Sequence, residues 1–109
     1  MKWNLSYLPE AEKDMRRLDG SERLLVQKAL EKVWKNPLSV YEGGYGKPLG
    51  NKSGRDLTGL LKIKLKQPGI RVIYKLIQTE TEMLIIVVGA RADEEAYRAA
   101  WERRKKYGL

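Results

Sequence analysis

The chain has 109 residues, 42% of them hydrophobic, which fits a single packed domain over residues 1–109 with no separate regulatory module. It contains no cysteine and no histidine, which excludes disulfides and thiolate zinc sites and removes the commonest metal ligand and neutral-pH base. The 22 Lys and Arg against 14 Asp and Glu give a net charge of +8, which favours an anionic partner such as nucleic acid or an acidic protein segment.

The first part of the chain predicts a strand followed by two helices. Apolar and polar residues alternate from Lys2 to Tyr7, which is typical of a short strand. Pro9 then suits the first turn of a helix, whose apolar stripe is interrupted at Asp19-Gly20. A second helix is expected from near Ser21 to Asn36-Pro37, because the residue before a proline disfavours helical geometry. The two helices in tandem predict a helical hairpin.

The remainder predicts a loop, three strands and a closing helix. Residues Leu38 to Thr58 are rich in Gly, Pro, Asn and Ser, and such a long loop is a candidate partner or substrate contact. The predicted strands are Leu60 to Lys66, Ile70 to Ile77 and Met83 to Val88. Gln67-Pro68-Gly69 joins the first two strands, and a turn near Thr79 and Glu80 joins the last two. Short turns imply an antiparallel meander. A helix from Ala92 to Tyr107, ending at Gly108, completes an α+β fold of order β-α-α-β-β-β-α.

The hydrophobic segments are too short for a membrane span. Crossing a bilayer takes about 18 consecutive apolar residues, whereas the longest apolar run, Met83 to Ala90, suits a buried strand. Met1 to Asn4 is not followed by an apolar stretch, so no secretory signal is predicted and a cytoplasmic location is expected.

Two of the predicted strands share a cationic face. Alternation places Lys62, Lys64 and Lys66 on one side of their strand. Arg71 and Lys75 share a side of the next strand, so the charged rows are expected to be neighbours across the hairpin. A solvated polar face has the same pattern. Like charges this crowded repel one another unless an anion bridges them, however, and a phosphate would do so.

Two further residues lie near the end of the last strand. Arg91 follows that strand, and Tyr97 comes six residues later in the closing helix. Taken alone, Tyr97 better suits a ring packed on the core with its hydroxyl in water. Arg91 equally suits an ion pair with Asp93 or Glu94.

Several segments, taken in order, resemble the RelE branch of the RelE/ParE toxin superfamily. They are Lys62-Ile63-Lys64-Leu65, Gly69-Ile70-Arg71-Val72-Ile73-Tyr74, and Val88-Gly89-Ala90-Arg91 with Tyr97 following. The opening Tyr7-Leu8-Pro9-Glu10-Ala11-Glu12-Lys13-Asp14 and the later Asn36-Pro37 resemble the first strand, hairpin and exit of that superfamily. The resemblance therefore extends over nearly the whole chain.

The resemblance implies the toxin of a type II toxin-antitoxin pair, an mRNA interferase that acts on codons in the ribosomal A site and is silenced by a cognate antitoxin. It implies attack by the RNA 2′-hydroxyl with no metal or cofactor. The implied roles are Lys62 as general base, Lys64 and Arg71 as phosphate-binding groups, Arg91 as general acid and Tyr97 as a base-stacking platform. A lysine base requires that neighbouring cations and partial burial lower its pKa.

Further cations are candidate RNA contacts: Lys66, Lys75, Arg103, Arg104 and Lys105. The last three belong to a basic run that equally suits a solvated helix end, where cations favour the C-terminal dipole, or a surface for the antitoxin.

The chain departs from the pattern in three places, and two other functions remain open. Ala90 stands where related toxins often have a polar or basic residue, the loop from Tyr41 to Asp56 carries no alignable motif, and Asp93-Glu94-Glu95 is expected to weaken the approach of RNA. The alternatives are a ParE-like inhibitor of DNA gyrase, which gives no reason for the clustered lysines, and a noncatalytic binding domain, for which charge suffices.

Overall fold

The computed structural model describes residues 2–67 and 69–109. Met1 and Pro68 are not among them, so the start of the chain and the centre of the predicted Gln67-Pro68-Gly69 turn lie outside the described residues. In chain order the elements are β1 Asn4–Tyr7, α1 Pro9–Arg17, α2 Gly20–Trp34, a 3-10 turn Val40–Glu42, β2 Lys47–Pro48, β3 Asn51–Lys52, β4 Arg55–Asp56, β5 Leu60–Lys64, β6 Arg71–Ile77, a 3-10 turn Gln78–Glu80, β7 Glu82–Ala90 and α3 Asp93–Tyr107.

The helices begin and end where local side-chain chemistry favours it. Pro9 occupies the first turn of α1, where its missing N–H costs no hydrogen bond. The side chain of Asp19 accepts a 2.8 Å hydrogen bond from the backbone N–H of Glu22, so α2 begins at Gly20, one residue before the predicted start. Gly108 ends α3 in the left-handed conformation, with φ of 65°. The predicted helical hairpin and closing helix are confirmed.

One five-stranded sheet has the order β1-β7-β6-β5-β2. Strands β5, β6 and β7 form the predicted antiparallel meander. Strand β1 pairs in parallel with β7, which makes β7 a central strand with neighbours on both sides. The α+β fold expected from the sequence is therefore confirmed, with the first strand next to the last.

The segment predicted as a long loop contains short strands. β2 pairs with β5 at the edge of the sheet, and β3 and β4 form a separate hairpin. Ser53 and Gly54 turn this hairpin with φ values of 55° and 79°, as a two-residue primed turn requires. Strands of two residues are too short to carry an alternating pattern, so the sequence did not reveal them.

The core surrounds β7 and positions its last residues. Buried apolar residues run along β7, and both α1 and α3 pack against that strand. The pairing of β6 with β7 skips Ile86 and Gly89, which makes two bulges in β7. Gly89 has a φ of 91°, which few other residues adopt. Because a bulge bends its strand, the second one redirects the chain just before Arg91.

Across residues 2–67 and 69–109, no helix combines the length and apolar character that a membrane span would need.

Candidate active site

Strands β5 and β6 bring the predicted cationic rows together. Lys64 and Arg71 are direct partners across the hairpin, and Lys62 faces Ile73 on the same side of the sheet. Lys66 lies beyond the end of β5, in the turn, so only part of the predicted lysine row is on the strand. The first turn of α3 lies over this end of the hairpin, as its contacts with Lys62 and Arg71 show.

Lys62 is buried and tied to α3. Its Nζ donates a 2.8 Å hydrogen bond to the hydroxyl of Tyr97 and lies 3.2 Å from Oδ1 of Asp93. The same nitrogen is 5.2 Å from the centroid of the Tyr97 ring, so it meets the ring at the hydroxyl end and not over the face. The contact is therefore a hydrogen bond more than a cation–π interaction.

Arg71 converges on the same carboxylate. Its Nε donates to Oδ1 of Asp93 at 3.0 Å, and its Nη1 donates to the carbonyl oxygens of Gly69, at 2.6 Å, and Arg91. One oxygen of Asp93 thus accepts from both Lys62 and Arg71. The acidic patch that was expected to weaken the approach of RNA thus contributes, through Asp93, the counter-ion of Lys62 and Arg71.

These contacts change the pKa values of the two partners. Burial is the largest influence on Lys62 and would lower its pKa, but hydrogen bonds and charge from Tyr97 and Asp93 outweigh it, and the pKa lies above the ordinary 10.5. Burial would likewise raise the pKa of Asp93, but hydrogen bonds from Arg71 and Lys62 hold it below its usual value. The expected lowering of the Lys62 pKa is therefore wrong for this conformation, in which Lys62 is protonated.

Arg91 is turned away from the Lys62 cluster. Its Nη2 lies 2.8 Å from the carboxylate of Glu22, in the first turn of α2. Neither nearby carboxylate considered from the sequence pairs with it, since Asp93 binds Lys62 and Arg71, while Glu94 binds Arg55 at 2.7 Å. The backbone of Arg91 nevertheless contacts Arg71, so its side chain starts close to the cluster.

The ring of Tyr97 is not available as a platform in this conformation. The residue is 7% exposed and belongs to the core, with its hydroxyl bonded to Lys62. Stacking of an RNA base, which needs an open ring face, therefore requires α3 or the neighbouring side chains to move first.

Among the other cations predicted to bind RNA, two have structural contacts instead. Arg103 binds Asp14 through Nη1 at 2.6 Å and also donates to the carbonyl of Ile86. Arg104 donates to the carbonyls of Asp56 and Thr58 and so holds the end of the β3–β4 hairpin. Both guanidinium groups thus have intramolecular partners, and their assignment as RNA contacts stays a prediction.

The remaining predicted RNA contacts differ in exposure. Lys66 is exposed in the turn after β5, and Lys75 is half-buried on β6 opposite Leu60. Lys105 is exposed, with its Nζ 5.0 Å from the centroid of the Trp101 ring. Lys64 is also exposed and has no ion pair within residues 2–67 and 69–109, so its charge is free for a ligand.

A groove of about 310 Å³ lies beside Arg91, between α1, the end of β7 and α3. Its charged lining residues are Asp14, Arg17, Arg91, Glu95 and Arg103. No group of three or more metal-binding side chains occurs in the part of the chain that the structure describes. The lining of the groove thus combines three arginines with two carboxylates.

Two acidic residues of the site, Asp93 and Glu22, are not among the site residues predicted from the sequence. Asp93 lies four residues before Tyr97 in α3, a spacing that puts both on one face of the helix. That spacing was a signal that both contact the same cation. Glu22 had no comparable signal, because its contact with Arg91 joins residues 69 positions apart.

The chain is similar to RelE toxins in sequence and in structure, although no family model matches it. It is 25% identical over 105 residues to a putative RelE-like toxin protein of Escherichia coli, with 96% of this chain and 100% of the relative covered. It is 29% identical over 103 residues to the mRNA interferase toxin RelE of Escherichia coli K12, with 94% and 98% covered.

Solved structures give the same picture. A mutant E. coli toxin RelE in the free state superimposes with a TM-score of 0.67 at 26% identity, covering 94% of this chain and 98% of that one. The intact E. coli RelBE toxin-antitoxin complex matches with a TM-score of 0.62 at 28% identity, covering 80% and 94%. The chain is therefore similar in both sequence and fold to RelE toxins, over nearly its full length in the sequence comparison.

Proposed function

We propose that this chain is the toxin of a type II toxin-antitoxin pair and cleaves messenger RNA in the ribosomal A site. The observation that carries the proposal is the convergence of Lys62 and Arg71 on one carboxylate oxygen, because groups that meet at one oxyanion can also meet at a phosphate and the 2′-hydroxyl beside it. The similarity to the mRNA interferase toxin RelE of Escherichia coli K12 supports the same activity.

The reaction that suits these residues uses a nucleophile already present in RNA. The 2′-oxygen attacks the adjacent phosphorus, the bond from phosphorus to the 5′-oxygen breaks, and a 2′,3′-cyclic phosphate and a 5′-hydroxyl remain. One proton leaves the 2′-hydroxyl and one reaches the departing 5′-oxygen. The protein then has to align the RNA, transfer these protons and neutralise charge on the phosphate.

Arg71 and Lys64 are assigned to the phosphate. They are paired across the hairpin, so both can face one anion. Arg71 is fixed by its bonds to Gly69 and Asp93, whereas Lys64 is exposed and unpaired within the described residues. A fixed guanidinium beside a free ammonium gives a preorganised positive field for the transition state.

Lys62 is assigned to the 2′-hydroxyl. In the present conformation it is protonated, because Asp93 and Tyr97 together raise its pKa despite burial. It becomes a base only after those contacts are lost and the neighbouring cations Lys64 and Arg71 act on it alone. The same movement would uncover the ring of Tyr97 for stacking.

Arg91 is assigned to the leaving oxygen. Guanidinium holds its proton too tightly to be an effective acid in water, so Arg91 stabilises the negative charge on the 5′-oxygen, which then takes its proton from solvent water. Arg91 must exchange Glu22 for the RNA, and its exposed position beside the groove permits that exchange. The exposed lysines Lys66 and Lys105, together with the half-buried Lys75, are assigned to the RNA backbone.

An antitoxin partner is proposed because of the similarity to RelE toxins. Solved relatives include the E. coli RelBE toxin-antitoxin complex and E. coli RelE bound to a peptide of its antitoxin. We therefore expect a cognate antitoxin for this chain, and a location in the cytoplasm, where translating ribosomes are found.

Expression of the chain without an antitoxin, followed by mapping of mRNA 5′ ends, tests the proposal. We expect growth arrest with cuts inside translated reading frames. Lys62→Ala, Arg71→Ala and Arg91→Ala should each reduce cutting by about 100-fold or more, as loss of one transition-state donor does elsewhere. Arrest with intact mRNA and inhibited gyrase would replace the proposal by gyrase inhibition, and full activity of all three variants would refute the site.

A further inference from the structure

We propose that Asp93 occupies the position of the scissile phosphate and competes with RNA for Lys62 and Arg71. The inference rests on the proposed function and adds an inhibitory contact to its site. It assigns Asp93 as a residue that limits substrate binding, acting through the two cations that it occupies.

The geometry of the cluster is that of an occupied anion site. The side chains of Lys62 and Arg71 are 8% and 12% exposed, whereas that of Asp93 is 45% exposed. The carboxylate therefore lies between the two cations and the solvent. A phosphate that approaches from solvent meets a negative charge before it reaches either donor.

The same contacts cannot serve both anions. Nζ of Lys62 and Nε of Arg71 both point at Oδ1 of Asp93. A phosphate oxygen that takes this place must displace the carboxylate, since two anions at hydrogen-bonding distance from the same donors repel each other. Rotation of the Asp93 side chain into solvent is enough to vacate the place.

Helix α3 does not depend on Asp93 alone for its attachment. The adjacent Glu94 accepts from Ser53 at 3.1 Å and from Arg55 at 2.7 Å. Further along the helix, Arg103 binds Asp14. Removal of the Asp93 charge should therefore leave the start of α3 docked, so that its effect on RNA binding can be measured in a folded protein.

A purely structural role for Asp93 makes a different prediction. Carboxylates in the first turn of a helix stabilise it through the helix dipole, and this one also separates two cations. If that were its whole role, Asp93→Asn would lower stability and leave RNA binding unchanged or weaker. The proposed competition gives effects of opposite sign, namely lower stability with tighter binding.

The test compares Asp93→Asn with Glu102→Gln, which removes the same charge from the same helix at an exposed residue with no hydrogen bond or ion pair among the described residues. The probe is a fluorescent single-stranded RNA with 2′-O-methyl sugars, which cannot be cleaved, and Kd is read from anisotropy at fixed salt. We expect about tenfold tighter binding for Asp93→Asn, which corresponds to about 1.4 kcal/mol. The change for Glu102→Gln should stay below about twofold, as expected for a solvated charge.

A second measurement uses wild-type and variant protein on ribosomes programmed with one mRNA. Asp93→Asn should cleave faster at subsaturating protein, and Asp93→Ala should show the same direction if the asparagine variant folds poorly. Unchanged or weaker oligonucleotide binding would overturn the inference, and so would loss of cleavage in Asp93→Asn. If the wild-type protein does not cleave at all, the proposed function fails, whereas the binding measurement still decides whether Asp93 competes with phosphate.

Discussion

The ion pair between Arg103 and Asp14 should contribute substantially to stability. The two side chains are 18% and 10% exposed, and Asp14 accepts from Arg103 at 2.6 and 3.2 Å and from the backbone N–H of Val88 at 3.1 Å. Arg103→Ala would leave this carboxylate with only the backbone donor. Breaking a mostly buried pair from one side costs about 3 kcal/mol. With an unfolding entropy of about 2.1 cal/mol/K per residue, that loss lowers Tm by about 13 °C for a chain of this length.

Thermal unfolding of purified protein measures this effect, with Lys105→Ala as the control. Lys105 lies two residues away in the same basic run, carries the same charge and is exposed. Its contact with the ring of Trp101 contributes at most about 1 kcal/mol. We therefore expect a large Tm decrease for Arg103→Ala and a small one for Lys105→Ala. Equal, small decreases would refute the structural role of Arg103 and restore it as a candidate RNA contact.

Three further predictions concern stability and pH. Hydrogen bonds from Lys106 and Tyr107 lower the pKa of Glu10 from 4.5 to about 2, so the stability that these bonds contribute is full above pH 4.5 and is lost as the pH falls to 2. The urea midpoints of wild type and Glu10→Gln should therefore converge between pH 4.5 and 2. A difference in midpoint that stays constant over this range would contradict the prediction. A Cβ on Gly46 would lie 2.1 Å from the hydroxyl of Tyr74, so Gly46→Ala should lower the free energy of unfolding by about 1 to 3 kcal/mol in denaturant titrations. Gly20→Ala should not, because no atom lies within 4 Å of a Cβ at that position. Equal stabilities of the two variants would exclude the clash. If Lys62 is the base, kcat/KM for cleavage should rise about tenfold per pH unit from pH 6.5 to 8.5, because the pKa of Lys62 in the free protein lies above that range. A flat kcat/KM profile would exclude that role.

Much of the fold could be predicted because it depends on local patterns. Pro9, Asp19 and Gly108 mark helix ends through backbone chemistry that acts within a few residues. The β5–β6–β7 meander follows from alternation and short turns. The parallel pairing of β1 with β7 had no such signal, since residues 78 positions apart meet there, as Leu5 and Met83 do. The β3–β4 hairpin was missed because each strand has only two residues.

In the candidate site, too, contacts within one hairpin could be predicted from the sequence, whereas contacts from another element could not. Strand alternation was enough to bring Lys64 next to Arg71. It gave no information on how α3 lies across the sheet, and that placement decides that Tyr97 is buried and that Asp93 neutralises Lys62. The predicted direction of the Lys62 pKa shift is wrong because the carboxylate of Asp93, which lies between Lys62 and Arg71, does not enter a prediction made from the lysines and arginines alone. A counter-ion contributed by another element cannot be inferred from the charges of one hairpin.

The central claim is that Lys62, Arg71 and Arg91 together cleave RNA through its own 2′-hydroxyl. The most direct measurement is the chemistry of the ends formed when purified protein acts on mRNA in programmed ribosomes. We predict a 2′,3′-cyclic phosphate on one fragment and a 5′-hydroxyl on the other, with yields reduced by about 100-fold or more in each alanine variant. A 5′-phosphate on the product, or undiminished cleavage by all three variants, would contradict the account.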